Sequence, residues 1–218
     1  CKIIRSKNKY EKTGGNVLKK TILVIDACVR REESRTKKLL EAALDTVRKE
    51  HPDWNLEILN LMDLDLMYWK TETLKERDEL LAKKEYDAPV FKYGNQFREA
   101  DGVIVAAPFW DLSIPAVLKV YIENISAEGI TFGCNESGLY GLCKAKWLLF
   151  LTTRGGIWAD SDMEQGSTYM EALCKFFGID EYACVYADGI DVQELDGEEI
   201  LREAIEETKG ICTRLSCE

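Results

Sequence analysis

Short runs of apolar residues alternate along this chain with longer stretches in which apolar residues recur every three or four positions. Ile22 to Ile25 is the first run, and an unbroken apolar run of this length is typical of a strand buried on both faces of a parallel sheet. The strands predicted in this way are 22–25, 56–61, 103–107, 147–151 and 182–187.

The stretches between these runs have the spacing of amphipathic helices. Leu40, Leu44 and Val47 share one face of the first helix, and charged residues occupy the other faces. Residues 62–99 form a longer polar insertion with helical spacing over Thr73–Lys84. The predicted helix boundaries are N-caps at Ser34 and Ser167, a start at Ser113 and Pro115, a capping box of Asp196 and Glu199, and a stop at Gly178.

Strands that alternate with helices predict an α/β fold, here a doubly wound five-stranded parallel sheet with helices on both faces. The chain has 218 residues, 46% of them apolar, which is enough for one well-packed core. Residues 1–20 are basic, lack periodicity and contain a Gly-Gly-Asn sequence. We therefore expect a flexible N-terminal extension over 1–20 and a single domain over 21–218.

The charge balance excludes some partners. With 29 basic and 39 acidic residues, the formal net charge is −10, which works against binding to nucleic acid or to anionic lipid. The longest apolar run, Val103 to Trp110, is far shorter than a membrane-spanning helix. We expect a cytoplasmic protein with no nucleic-acid partner and no membrane partner.

The eight cysteines do not have the spacing of a metal site or of a disulfide framework. No two of them form a CxxC pair, and the single histidine, His51, has no ligand-type neighbour in sequence. Cys174 and Cys184 fall at positions where buried apolar residues are expected. No structural zinc or iron–sulfur site is expected.

In an open parallel sheet, ligands bind beyond the carboxyl ends of the strands, so the loops there are the candidates for chemistry. The loop after the first strand brings two arginines and the hydroxyls of Ser34 and Thr36 to the start of a helix. Such a helix start suits a phosphate, and without a GxGxxG or GxxxxGK[ST] motif a monophosphate fits better than a pyrophosphate. Ser34 could equally serve only as an N-cap, and Glu32 and Glu33 place unfavourable charge near an anion.

The loops after the third and fourth strands complete this edge of the predicted sheet. Phe109 and Trp110 give either an apolar shelf for a flat ring or a cover for the sheet edge. Gly155 and Gly156 either let the backbone approach a ligand closely or form a plain turn. The coincidence of three irregular loops at one edge favours a ligand site.

Four segments of this chain resemble the FMN-dependent NADH-azoreductases and related quinone reductases of the flavodoxin-like superfamily. They are Ala107–Pro115, Gly129–Phe132, Gly138–Leu142 and Thr153–Gly156, within a similarity that runs from Thr21 to the C-terminus. The resemblance implies a flavodoxin-like fold, with 21–218 as the FMN-binding domain.

The resemblance also implies which residues meet the flavin. The phosphate loop corresponds to Cys28, Ser34, Arg35 and Thr36. The isoalloxazine lies along Pro108, Phe109, Trp110, Asp111 and Leu112, and Thr153, Arg154, Gly155 and Gly156 close over its edge. Candidate walls of the substrate slot are Trp110, Phe132 and Trp158. Two departures stand out, because Cys28 replaces a usual serine and Trp110-Asp111 replaces Tyr-Asn.

By the same resemblance, the chain is an FMN-dependent oxidoreductase that passes electrons from NADH or NADPH to a small quinone-like or azo acceptor in a ping-pong cycle. Members are generally homodimers, so the insertion at 62–99 and Phe132 are expected to serve the partner's pocket. One alternative is a flavodoxin-type electron carrier, or a flavin-binding regulatory module, without small-acceptor turnover. Another is an empty cleft, with Cys28 and the two glutamates marking a decayed site.

Overall fold

The computed structural model describes residues 19–217, so the extension predicted over 1–20 falls, apart from its last two residues, outside the described residues. Seven strands are present in this part of the chain, at Thr21–Asp26 (β1), Asn55–Asn60 (β2), Gly102–Ala106 (β3), Phe132–Asn135 (β4), Gly138–Gly141 (β5), Trp147–Thr153 (β6) and Glu181–Ala187 (β7). The α-helices are Arg35–Glu50 (α1), Thr71–Ala82 (α2), Lys92–Glu99 (α3), Ala116–Ile125 (α4), Gly166–Phe177 (α5) and Gly197–Arg214 (α6).

Five of the strands form one parallel sheet in the order β2-β1-β3-β6-β7, which confirms the predicted doubly wound sheet. The strand order reverses between β1 and β3, because the chain moves outward from β1 to β2 and then returns to β3 on the other side. Asp26 and Ala106 are paired at the ends of β1 and β3. The loops that follow these two strands therefore start side by side at the switch point.

Helices cover both faces of the sheet, as predicted. Side chains of β1 alternate between the faces, so Leu23 and Ile25 pack with α3, α4 and α5, while Ile22 and Val24 pack with α1 and α6. These β1 residues are at most 1% exposed. Burial on both faces explains the apolar runs of the central strands β1, β3 and β6, whereas the edge strands β2 and β7 are partly exposed.

An antiparallel hairpin of β4 and β5 was not predicted as structure, although its sequence carried part of the resemblance. Its strands are four residues long and largely exposed, so they have no apolar alternation to detect. The hairpin contacts the C-terminal end of α5. A Cβ on Gly141 would lie 2.0 Å from the backbone nitrogen of Gly178, so only glycine allows this approach.

Two of the predicted helix caps differ in detail. Ser34 holds the N-cap position of α1, but its side chain makes no capping hydrogen bond to the described residues. Ser167 was predicted as the N-cap of α5 and is instead inside its first turn, where Glu164 accepts from the backbone N–H groups of Gly166 and Ser167 (3.0 and 2.9 Å). A carboxylate three residues away replaces the expected hydroxyl because it reaches both free N–H groups at once.

Other predicted boundaries are confirmed. Gly178 ends α5 in the left-handed conformation, with a φ of 78°. Asp196 is the N-cap of α6 and accepts hydrogen bonds from the N–H groups of Glu198 and Glu199, which is one half of the predicted capping box; the Glu199 side chain, which would form the other half, pairs with Arg202 instead. Within residues 19–217, no helix has the length and apolar character needed to cross a membrane.

Candidate functional site

The loops after β1, β3 and β6 meet at the switch point around a cleft of about 320 Å³. This volume is at the small end of the range for sites that hold small molecules, and the cleft is open to solvent. Ten residues line it: Arg30, Glu33, Ser34, Arg35, Pro108, Phe109, Trp110, Thr153, Gly155 and Asp191. The structure thus brings together the three loops that the sequence analysis selected.

One end of the cleft is the N-terminus of α1. Ser34 is only 6% exposed, and since its side chain does not cap the helix within the described chain, first-turn N–H groups are left for another acceptor. Thr36 is fully buried, and its hydroxyl lies 2.6 Å from the hydroxyl of Thr153. Ser34 therefore borders the cleft, whereas Thr36 joins α1 to the end of β6 beneath it.

Cys28 lies below the cleft and does not line it. Its side chain is 2% exposed, with Sγ 3.9 Å from the carbonyl oxygen of Ala106. Burial, followed by the nearby Asp26 carboxylate, raises the pKa of the thiol to about 12, so Cys28 is a neutral packing group. Asp26 in turn accepts from the Cys28 backbone N–H (3.0 Å) and pairs with Lys37 (2.5 Å), which fixes the start of the loop.

Asp191, which was not predicted from the sequence, closes the same end of the cleft. Arg35 donates to both of its carboxylate oxygens, at 2.6 and 2.9 Å, and this contact lowers the pKa of Asp191. A bidentate pair of this kind fixes the Arg35 guanidinium in one orientation. The available signal was position, because Asp191 follows β7 at the same carboxyl edge as the other three loops.

The middle of the cleft is an aromatic shelf, which we define as Phe109 and Trp110. The N–H of Phe109 donates to the carbonyl of Thr153 (3.1 Å), and Trp110 and Ser113 exchange two backbone hydrogen bonds. Between them, Asp111 and Leu112 take left-handed φ values of 49° and 64°. This tight turn leaves the side chains of Asp111 and Leu112 in solvent, outside the cleft lining, while the Trp110 ring remains part of it.

The loop after β6 brings its backbone to the far side of the cleft. A Cβ on Gly155 would lie 2.6 Å from a carboxylate oxygen of Asp191, and one on Gly156 would lie 2.9 Å from the indole nitrogen of Trp158. A side chain at either position would therefore require Asp191 or Trp158 to move. The Arg154 side chain turns away from the cleft and is 1% exposed, beside Glu164 and Asp188.

The three predicted walls of the substrate slot do not meet in one place. Trp110 lines the cleft, and Trp158 packs on the shelf with its ring 5.7 Å from that of Phe109. Phe132 lines a separate opening of about 590 Å³ between α2 and the hairpin, together with Tyr86 and Tyr140. In this chain, Phe132 therefore lies on a surface separate from the cleft.

Comparison with known proteins gives a consistent result. The family model described as having a flavodoxin-like fold matches residues 20–211. The chain is 34% identical over 192 residues to an FMN-dependent NADH:quinone oxidoreductase of Clostridium beijerinckii, covering 86% of this chain and 96% of that protein. It is 35% identical over 179 residues to an FMN-dependent NADH:quinone oxidoreductase of Clostridium acetobutylicum, covering 81% and 89%.

Solved structures show the same relation. The crystal structure of an azoreductase from Bacillus anthracis matches with a TM-score of 0.81 and 27% identity, covering 91% of this chain and all of the other. The similarity therefore extends over nearly the whole described chain, including the loops that build the cleft.

Proposed function

We propose a function from the premise that this chain belongs to the family with the flavodoxin-like fold, whose model spans residues 20–211. The protein is an FMN-dependent oxidoreductase that moves electrons from NADH to quinone-like or azo acceptors, as the names of its relatives and structural neighbours indicate. The observation that carries this assignment is the cleft at the switch point, with a helix N-terminus at one end and an aromatic shelf in the middle.

The residues of the cleft fit FMN. The uncapped N-terminus of α1 and the hydroxyl of Ser34 offer hydrogen-bond donors and a positive dipole end to a phosphate. Phe109 and Trp110 offer an apolar surface to a flat ring, and Gly155 lets the backbone approach its edge. Arg30 and Arg35 both line the cleft beside the start of α1, and Asp191 already engages Arg35.

Bound FMN supplies the hydride chemistry, so the protein needs no nucleophile and no metal of its own. Phe109 and Trp110 would hold the flat ring of the cofactor, and Trp110, which is 37% exposed, would offer apolar surface to a flat substrate. We place the nicotinamide donor, NADH or NADPH, and the acceptor in this one slot by turns, which is a ping-pong cycle.

We further propose that the protein works as a homodimer. The opening that contains Phe132 lies beside the exposed apolar side chains of Leu139 (64%) and Tyr140 (45%). Exposed apolar groups that cluster on one surface favour contact with another protein. In a dimer, Phe132 and the insertion over 62–99 would then border the partner's cleft rather than their own.

The proposed function predicts that purified protein binds one FMN per chain and oxidises NADH when a quinone is present. The test is FMN absorbance after reconstitution and desalting, followed by steady-state NADH oxidation with and without a soluble quinone. Protein that binds FAD instead of FMN, or no flavin, would contradict the cofactor assignment. Flavin binding without quinone-dependent NADH oxidation would identify an electron carrier or regulatory module instead.

Asp111→Asn is expected to raise the midpoint potential of bound FMN by roughly 20 mV. A carboxylate a few ångströms from the ring would disfavour the electron-rich reduced state by roughly 3 kcal/mol at an effective dielectric near 20, and the exposure of the Asp111 side chain to solvent reduces this to about 1 kcal/mol. Asparagine also tolerates the left-handed backbone at this position, where φ is 49°. Redox titration of the loaded variant measures the shift.

The matched control is Asp180→Asn, at an exposed position just before β7 and therefore at the opposite edge of the sheet. Its potential should equal that of the wild type. An unchanged or lower potential for Asp111→Asn would mean that the Asp111 carboxylate is too far from the ring to act, and that only the backbone of this loop serves the flavin.

A further inference from the structure

Arg154 is buried directly behind the cleft. Its neighbours in sequence, Thr153 and Gly155, line the cleft, but its own side chain turns into the protein and is 1% exposed. Removing a guanidinium from water is costly unless opposite charges and packing compensate for it. The groups around Arg154 therefore show what it holds in place.

Two carboxylates face the guanidinium. Nη2 lies 3.3 Å from Oε1 of Glu164, and Nη1 lies 3.6 Å from Oδ1 of Asp188. Among residues 19–217, Nε and Nη1 of Arg154 and Oδ1 of Asp188 have no hydrogen-bond partner. The guanidinium is thus held between two acids chiefly by charge and packing, so its position depends on the full width of the planar group.

Each of these acids fixes one segment near the cleft. Oδ2 of Asp188 accepts from the backbone N–H groups of Trp158 (2.8 Å) and Ala159 (3.0 Å). Oε1 of Glu164 accepts from two N–H groups in the first turn of α5, at 3.0 and 2.9 Å. Arg154 therefore connects the loop after β6 to the start of α5.

The guanidinium also contacts two aromatic rings. Its carbon lies 5.7 Å from the ring centre of Phe109 and 4.5 Å from that of Tyr186. The Phe109 loop is tied to α5 a second time, because the N–H of Gln165 donates to the carbonyl of Leu112 (2.9 Å). The buried guanidinium thus lies within cation–π distance of the Phe109 ring. It also faces Asp188, whose carboxylate holds the backbone of Trp158.

We propose that Arg154 is a positioning residue that sets where the Phe109 ring, with Trp158 packed on it, lies against FMN, without itself touching FMN. This inference rests on the proposed function. Lysine keeps the charge but is a compact point cation, so it cannot span Glu164 and Asp188 as the planar guanidinium does. In Arg154→Lys, the cation therefore keeps its contact with only one of these two carboxylates, and the shelf shifts.

The test compares wild type, Arg154→Lys and the control Arg98→Lys, whose arginine lies on α3 and pairs with its neighbour Glu99. For each folded protein, FMN affinity is measured by fluorescence titration, and the visible circular dichroism and midpoint potential are recorded at saturating FMN. Arg154→Lys should weaken FMN binding by about tenfold and change both the dichroism and the potential of the bound cofactor. Arg98→Lys should match the wild type.

A folded Arg154→Lys with wild-type affinity, dichroism and potential would overturn the inference, even if the variant were less stable. Wild-type protein that binds no FMN would refute the proposed function, and this inference with it. If Arg154→Lys does not fold, Asp188→Asn replaces it. That variant keeps an oxygen acceptor for the N–H groups of Trp158 and Ala159 but removes the charge facing Arg154, so it should change dichroism and potential in the same way, and unchanged values would overturn the inference.

Discussion

Ser34→Asp is expected to raise the dissociation constant of FMN by between about tenfold and about a hundredfold. Ser34 borders the cleft, and its hydroxyl does not cap α1 within the described chain; its side chain contacts the buried Cys28 thiol, a weak hydrogen-bonding partner that a phosphate would replace. Aspartate is an equally good N-cap residue and preserves the start of α1. Its carboxylate repels the phosphate and removes a charge-assisted hydrogen bond, which is worth about 1.5–3 kcal/mol.

Riboflavin is the control ligand for this prediction because it carries the same ring system without the phosphate. Its affinity should be the same, within error, for wild type and Ser34→Asp. Ser34→Ala, which loses the hydroxyl but adds no charge, should bind FMN with intermediate affinity. Isothermal titration measures all of these values, and wild-type FMN affinity in a folded Ser34→Asp would refute the phosphate assignment.

Gly141→Ala is expected to lower the free energy of unfolding by about 3 kcal/mol. The new methyl group would lie 2.0 Å from the nitrogen of Gly178 and from the carbonyl carbon of Phe177. These are backbone atoms at the end of α5, which cannot move aside as a flexible side chain can. The hairpin must therefore shift away from α5, and overpacking of this kind costs about 1–3 kcal/mol or more.

Gly210→Ala is the same chemical change, but it is expected to raise the free energy of unfolding. Gly210 lies within α6, and a Cβ there meets only the end of the Arg214 side chain, at 3.7 Å. Alanine in a helix interior stabilises by about 0.5–1 kcal/mol relative to glycine. Urea denaturation of both variants measures the difference, and a Gly141→Ala protein as stable as the wild type would show that the hairpin is not held against α5 in solution.

The sheet could be predicted from sequence because its three central strands, β1, β3 and β6, are buried on both faces. That environment demands unbroken apolar runs such as Ile22 to Ile25, and few other elements produce them at this length. The end of α5 at Gly178 could also be predicted, since the left-handed backbone conformation at that position strongly favours glycine. The cleft followed from these elements, because the carboxyl ends of parallel strands meet at one edge.

The rest could not be predicted, for three different reasons. The hairpin of β4 and β5 is exposed, so no apolar pattern marks it. Ser167 is a residue type that often caps helices, but the free N–H groups at the start of α5 donate to the Glu164 carboxylate instead. Only the structure shows which of the two side chains accepts these hydrogen bonds. Likewise, the resemblance implied that Arg154 closes over the edge of the flavin, whereas its side chain is buried beside Glu164 and Asp188, two acids that only the folded chain brings next to it.

The pair of Arg35 and Asp191 has a consequence for the order in which the molecule is assembled. These residues are 156 positions apart, and they join the first loop of the sheet to the last. During synthesis, β1 and α1 leave the ribosome long before β7, so this end of the cleft stays open until the last strand has docked. Cofactor capture is then a late event, and a nascent chain that lacks β7 and α6 would hold its flavin only loosely.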